Sequence, residues 1–416
     1  MKTKSKLFAT LAMSVAMIGA ASFGPSAVVL AQSKDAPKVS RALAKPLKAA
    51  QDAMNAKKYD EALARLKEAQ AKPEKTPYDE HLINEMLGFV YVRTGKYADA
   101  AKALEAGLKS GFLEESEVPT RVKALAQVNY QIKNYDKAIE YGNQAIRSGQ
   151  GDDDMYTLVA QAYYIKGDYK GAHKFLDNYV NSQIKRRQKP KEQTLQLLMS
   201  SCTKMEDSDC TTQALEHLVA YYPKTEYWQN LMYSMFQAKG HTDRTLLHVY
   251  RLASEVDVLQ RPEDYTEMAQ LAIEQGSPGE AQRILEKGFQ KNIFPDQRAR
   301  DRNQRLLDSV KREVANDKAT LAQIEKDALE SKTGDKDMAL GLAYFSYQQY
   351  DKAVEAFTRG LAKGGVRNEA EARLMLGIAQ LEAGMKEEAI KTFSEVKGDP
   401  NFERLANLWS LHARQA

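Results

Sequence analysis

Apolar residues recur three or four apart along most of the chain, and Gly or Pro interrupts them. Period-two alternation is hard to find, so the pattern predicts helices rather than strands. The pattern also repeats itself. NEMLGFVYVRTGKYADAAKALEAG, from Asn84, matches TLVAQAYYIKGDYKGAHKFLDNY, from Thr157, and MALGLAYFSYQQYDKAVEAFTRG, from Met338. Each reads as a helix with a small residue and an aromatic three positions on, then a turn, then Tyr, then Ala, then an apolar residue four later.

The Ala after the turn serves as a ruler. It falls at Ala62, Ala100, Ala138, Ala172, Ala281, Ala353 and Ala389, with short steps of 34 to 38 residues. The two long gaps, 109 and 72 residues, hold three and two units. Ala214, Thr245 and Ala319 mark the degenerate units expected there. The whole then reads as about ten helix pairs: an array over 32–295, a charged degenerate pair over 296–336, and further pairs with a capping helix over 337–416. A helix pair cannot bury its apolar face alone, so neighbours must stack. Small residues such as Gly88, Ala160 and Gly341 let paired helices approach, and Tyr91 and Tyr163 fill the space between pairs. Gly142 stands where a large apolar residue is expected, and Pro46 sits inside the first helix, so those units should be irregular. At the end, Phe402, Leu405, Leu408, Trp409 and His412 share one face of a helix that should cover the last pair.

These positions resemble the tetratricopeptide repeat family. The second unit carries Leu87-Gly88, Tyr91, Gly95, Tyr97, Ala100 and Leu104. The fourth carries Val159-Ala160, Tyr163, Gly167, Tyr169, Ala172 and Leu176. The resemblance implies an all-α, right-handed solenoid whose first helices line a groove for partner peptides. Carried onto this chain, the groove positions are Lys123, Gln127, Tyr130, Gln161, Tyr164, Gln229, Tyr233, Phe236, Gln270 and Ile273. Amides can bond an extended backbone and aromatics can hold side chains. Packing between repeats is the competing role for Tyr130 and Tyr164. The Lys/Asn set that grips a terminal carboxylate in some chaperone-binding relatives is missing, and Lys123 alone does not rebuild it. In the last two units the groove positions are apolar: Met338, Leu342 and Phe345, then Leu374, Ile378 and Leu381. They could bury the last helix, a partner or a second copy.

The N-terminus departs from the helical pattern. Lys2, Lys4 and Lys6 precede an apolar stretch from Leu7 to about Phe23, then Gly24-Pro25-Ser26 and Val29-Leu30-Ala31. This reads as a signal peptide over 1–31, cleaved before Gln32, and predicts export to the periplasm. No later apolar run reaches the ~20 residues of a membrane helix. The formal net charge of +4 falls to about +1 without the three leader lysines, which argues against a phosphate-backbone binder. In an exported chain, the two cysteines, Cys202 and Cys210, are expected to form one disulfide.

Candidate chemistry is sparse. His81, His173, His217, His241, His248 and His412 form no His-x-x-x-His pair, and no phosphate loop, nucleophile elbow or dinucleotide fingerprint occurs. No catalytic residue, metal or cofactor is expected. Asp152-Asp153-Asp154 reads as a helix start. Lys185-Arg186-Arg187-Gln188-Lys189 reads as a solvated basic loop or a dock for an acidic surface or anionic headgroups. The functional reading is an exported scaffold that binds protein partners. KPLKAAQDAMNAKKYDEALARLKEAQ followed by KTPYDEHLINEMLGFVYVRTGKY is similar to periplasmic repeat proteins that accompany TonB–ExbB–ExbD systems. That resemblance implies TonB-system or outer-membrane receptor partners. An adaptor for envelope assembly and an enzyme with a site assembled from distant residues are the alternatives.

Overall fold

The computed structural model describes residues 37–238 and 240–415. The expected signal segment, 1–31, lies outside them. The described residues form twenty α-helices and no strand, which fits an all-α array of about ten helix pairs. The chain divides into two compact units, the first ending at Glu206 and the second starting at Asp207. Among the described residues, no helix is long and apolar enough to cross a membrane.

The first unit holds four successive hairpins: α1 (Arg41–Asn55) with α2 (Tyr59–Ala71), α3 (Pro77–Arg93) with α4 (Tyr97–Lys109), α5 (Val118–Gln131) with α6 (Tyr135–Ala145), and α7 (Asp153–Lys166) with α8 (Tyr169–Lys185). Helix α9 (Glu192–Lys204) follows. The second unit begins with α10 (Ser208–Tyr221), then α11 (Thr225–Gln237), α12 (Asp243–Glu255), α13 (Pro262–Glu274) and α14 (Pro278–Gln290). The long α15 (Gln297–Glu330) precedes α16 (Asp335–Ser346), α17 (Tyr350–Lys363), α18 (Glu369–Glu382), α19 (Lys386–Ser394) and the terminal α20 (Pro400–Gln415).

Three local devices make the hairpins. The seven ruler alanines are all fully buried. Five residues before each, the turn takes a left-handed backbone: at Gly95, Gly167, Gly276 and Gly384, and also at Lys57, Lys133 and Gln348, with φ between 57° and 61°. Finally, a small residue faces a large one sixteen positions on. A Cβ at Gly88 would stand 2.5 Å from Leu104, one at Gly341 2.6 Å from Phe357, and one at Gly377 2.5 Å from Phe393. Such distances leave no room for a methyl group, so the glycines set how closely the two helices pack.

Of the two units expected to be irregular, the one with Gly142 departs from the pattern, while α1 runs unbroken through Pro46. Gly142 has no side chain because Val159 occupies that space, 2.3 Å from where a Cβ would sit. A π-helical turn, Ile146–Gln150, follows it. Pro46 lies buried inside α1. Asp152 caps α7 by accepting from the Met155 N–H at 2.9 Å, as the acidic run suggested. Cys202 and Cys210 are disulfide-bonded.

One expectation needs correction. Residues 296–336 do not form a helix pair. Ala319, the expected post-turn residue, is exposed in the middle of the continuous 34-residue α15. No Gly or Pro occurs between Gln297 and Glu330, so nothing breaks the helix. The terminal helix covers the last pair, as expected, and extends beyond it. Helix α20 packs on α18 and α19 and also reaches back to α10 and α12. Phe402, Leu405, Leu408 and Trp409 are buried along it. Arg404 pairs with Glu216 at 2.7 Å, His412 meets Glu255 at 3.3 Å, and the Gln415 amide donates to the Val219 carbonyl at 2.8 Å.

Candidate partner-binding surfaces

In the first unit, the candidate groove residues of α5 and α7 are partly committed to packing. The Tyr130 hydroxyl donates to Gln161 Oε1 at 3.1 Å, and Gln161 itself is buried. Tyr130 lies edge-on to Tyr135, and Tyr164 edge-on to Tyr169 at 5.2 Å. Burial raises the pKa of both Tyr130 and Tyr164. Lys123 pairs with Asp152 at 2.5 Å, bracing the cap of α7. Gln127 is half-buried. The Tyr130–Gln161 bond therefore joins one repeat to the next.

In the second unit the candidates are scattered. Tyr233 on α11 is 65% exposed, Phe236 packs against Tyr250 with ring centres 4.6 Å apart, and Gln229 is half-buried. Gln270 on α13 is exposed and Ile273 half-buried. Of the apolar positions, Leu374 and Ile378 are buried in α18, and Phe345 lies under the Arg251 guanidinium, 5.8 Å from the ring centre.

Met338 and Leu342 line a cleft of about 340 Å³ formed by the start of α12, the first turns of α16, Phe357 of α17, and the start of α18. Met338, Leu342, Phe357, Val366 and Met375 give it an apolar floor. Arg244, Lys336, Arg367, Asp335 and Glu371 supply charge at its wall. Asp335 accepts from the Arg367 N–H at 3.0 Å, and Glu371 accepts from Arg244 at 2.9 Å. The size falls at the low end for ligand clefts, enough for one or two side chains of a partner.

Behind Glu371 lies a buried polar chain that local sequence patterns did not disclose. Arg251 grips Glu280 with two bonds, Nε to Oε1 at 2.8 Å and Nη2 to Oε2 at 2.7 Å. Both side chains are about 5% exposed. Arg251 Nη1 also donates to His248 Nδ1 at 3.2 Å and to Met375 Sδ at 3.3 Å. A guanidinium only donates, so Nδ1 must accept; the His248 proton sits on Nε2 and is donated to Glu371 Oε1 at 3.3 Å. Burial lowers the His248 pKa and keeps the ring neutral. Burial opposes ionisation of Glu371, but the His248 bond and the Arg244 guanidinium outweigh it and hold its pKa at about 2. Glu280 stays ionised against the same penalty, because Arg251 bonds both its oxygens. The Ser346 hydroxyl accepts from the Gly279 and Glu280 N–H groups at 2.9 and 3.2 Å. The chain thus ties α12, α14, α16 and α18 together beneath the cleft. A signal did exist: in LLHVYRLA, His248 and Arg251 interrupt an apolar run, three residues apart.

Stacked helix hairpins of this kind, seven of them with a buried Ala five residues after a left-handed turn residue, define an α-solenoid of short repeats. The tetratricopeptide repeat model matches residues 47–110, 85–153 and 338–401, and over those segments the chain is built of tetratricopeptide repeats. Against curated proteins there is no match. Among solved structures, a tetratricopeptide repeat protein from Parabacteroides merdae is similar at 11% identity, covering 72% of this chain and 99% of that one, with a TM-score of 0.31. The C-terminal part of a repeat-containing protein from Cytophaga hutchinsonii is similar at 14% identity, 64% and 95% coverage, and a TM-score of 0.34. Yeast Tom70 is similar at 10% identity, 90% and 96% coverage, and a TM-score of 0.25.

Proposed function

We propose that this chain is an exported, non-catalytic scaffold that binds protein partners in the periplasm and supports TonB-dependent transport across the outer membrane. Repeats of this type generally mediate protein–protein interaction. The observation that carries the binding reading is the cleft between α12, α16 and α18. Its apolar floor accepts a side chain, and its charged wall is held in place by the ion chain behind it. Export is supported by the basic, apolar and small-residue order of the first 31 residues. The TonB assignment rests on the resemblance of residues 45–97 alone.

Ala339 lines the cleft and is exposed, so it is the place for a photo-crosslinking side chain. Irradiated cells should yield an adduct with a TonB-system component or an outer-membrane receptor in the periplasmic or envelope fraction. Adducts with assembly factors alone would replace the transport reading with the envelope-assembly one. No protein adduct from Ala339, while a probe at Tyr233 does give one, would remove the cleft as the binding surface.

A further inference from the structure

Helix α15 carries a charge pattern that its own folding does not call for. At 1.5 Å per residue its 34 residues span about 51 Å. It packs through Asn303, Leu307, Val310, Val314 and Ala328. On the opposite side, Arg298, Arg302, Arg305 and Arg312 fall within an arc of about 80° at 100° per residue, and along about 21 Å of helix. All four are exposed, and none has an ion pair or hydrogen bond among the described residues. The acids beside them are occupied otherwise: Asp301 accepts from Gln297 at 2.7 Å and Asp308 from Gln304 at 2.8 Å.

The charge also runs against the helix dipole. Residues 298–312 hold five Arg and one Lys against two Asp, whereas 313–330 hold five acids against two Lys. Only the first and last turns feel that dipole; there Arg298 is unfavourable, and the arginines farther in gain nothing from it. Helix stability therefore does not account for the stripe, and neither does pairing within the fold.

We infer that the arginine stripe of α15 is a docking surface for an acidic helical segment of a partner protein, with carboxylates at matching spacing. The chemistry favours that occupant over an anionic bilayer. All four cations are Arg, whose planar fork matches carboxylates two bonds at a time, where Lys would serve a diffuse negative surface as well. The stripe is bordered by exposed Asp301, Asp308 and Glu313, which would face the headgroups of a flat anionic surface. This surface is separate from the cleft, so the two readings stand or fall independently.

The test uses the full mature chain and two fluorescein-labelled helical peptides of identical composition. One places Glu at i, i+4, i+7 and i+14; the other has the Glu positions scrambled. Anisotropy at ~50 mM salt should show the matched peptide binding, and binding should weaken steeply by ~300 mM as screening shortens. The variant Arg298→Gln, Arg302→Gln, Arg305→Gln and Arg312→Gln should bind at least about tenfold more weakly, the combined effect of four surface contacts. Its melting temperature should be nearly unchanged, because all four side chains are exposed and unpaired, and this separates lost docking from lost folding. Equal binding by the variant, equal binding of the scrambled peptide, or no binding of the matched peptide at low salt would overturn the proposal. So would stripe-dependent binding to phosphatidylglycerol vesicles without peptide binding.

Discussion

Replacing Glu280 by Gln tests the buried ion chain directly. The native carboxylate accepts two charge-assisted bonds from Arg251, at 2.8 and 2.7 Å, in a site where both partners are about 5% exposed. Glutamine keeps the volume but removes the charge, and one of its two terminal groups is an NH2 that can only donate. It would face a guanidinium that also only donates. One bond is lost, and a cation remains buried without its counter-charge. Removing one partner of a buried pair in this way costs about 3–5 kcal/mol. The second unit contains both tryptophans, Trp228 and Trp409, so urea unfolding followed by their fluorescence reports on the affected unit. The midpoint should fall with little change in slope. Pairing Glu280→Gln with Arg251→Met should restore much of the loss, because the cation leaves with its partner and the space stays filled. A loss below about 1 kcal/mol for Glu280→Gln would mean that water or another anion already serves Arg251. It would also refute the bracing role given to the chain. A double variant no better than the single one would place the cost in packing.

The same chain sets a pH dependence. His248 is held neutral, so below its ordinary value of 6.5 the unfolded chain takes up a proton that the folded chain refuses; stability of the second unit should decline as pH falls from about 6.5. Glu371, at about 2, contributes stability that is present above its ordinary 4.5 and lost between there and about 2, so the decline should steepen below pH 4.5. Tryptophan-monitored stability that is flat between pH 7 and 5 would refute the His248 assignment, and no further loss between pH 4.5 and about 2 would refute that of Glu371. Within a repeat, Gly341→Ala puts a methyl group 2.6 Å from the Phe357 ring. Overpacking of about 1–3 kcal/mol should exceed the helix-propensity gain of about 1 kcal/mol, and Phe357→Leu should partly rescue it. A stabilised single variant would show that the hairpin is not tightly set at this glycine.

How much of this was legible depended on the range of each interaction. The hairpins were readable because their determinants are local. Ala62, Ala100 and Ala353 follow their turns at fixed distance, and Gly88, Gly341 and Gly377 precede their large partners by sixteen residues. Helix α15 was misread because the repeat ruler was extended across a segment with no helix breaker, and the spacing alone does not make a turn. The groove residues were only partly legible. Residue type marked Tyr130 and Gln161 as a peptide floor, but their hydrogen bond to each other joins positions 31 residues apart, which residue type does not reveal. For the ion chain, LLHVYRLA marks His248 and Arg251 but not their partners, because Arg251 and Glu280 lie 29 residues apart and His248 and Glu371 lie 123 apart.

Helix α20 packs on α18, the helix that carries two of the apolar groove positions the sequence left open. Leu374 and Ile378 are buried in α18, and α20 packs on that helix while touching α10 and α12 as well. Its apolar face is fully used: Phe402, Leu405, Leu408 and Trp409 are each no more than 2% exposed. At ~25 cal/mol per Å², uncovering four large side chains to admit a partner peptide would cost several kcal/mol before any new contact formed. A partner therefore pays that cost in full if it displaces α20. The second unit is left with surfaces that need no such opening: the cleft beside Glu371 and the outer face of α15. Binding that survives truncation of α20 but fails with a blocked cleft would follow from this arrangement. Binding that improves on truncation would mean that α20 occupies the partner's own site.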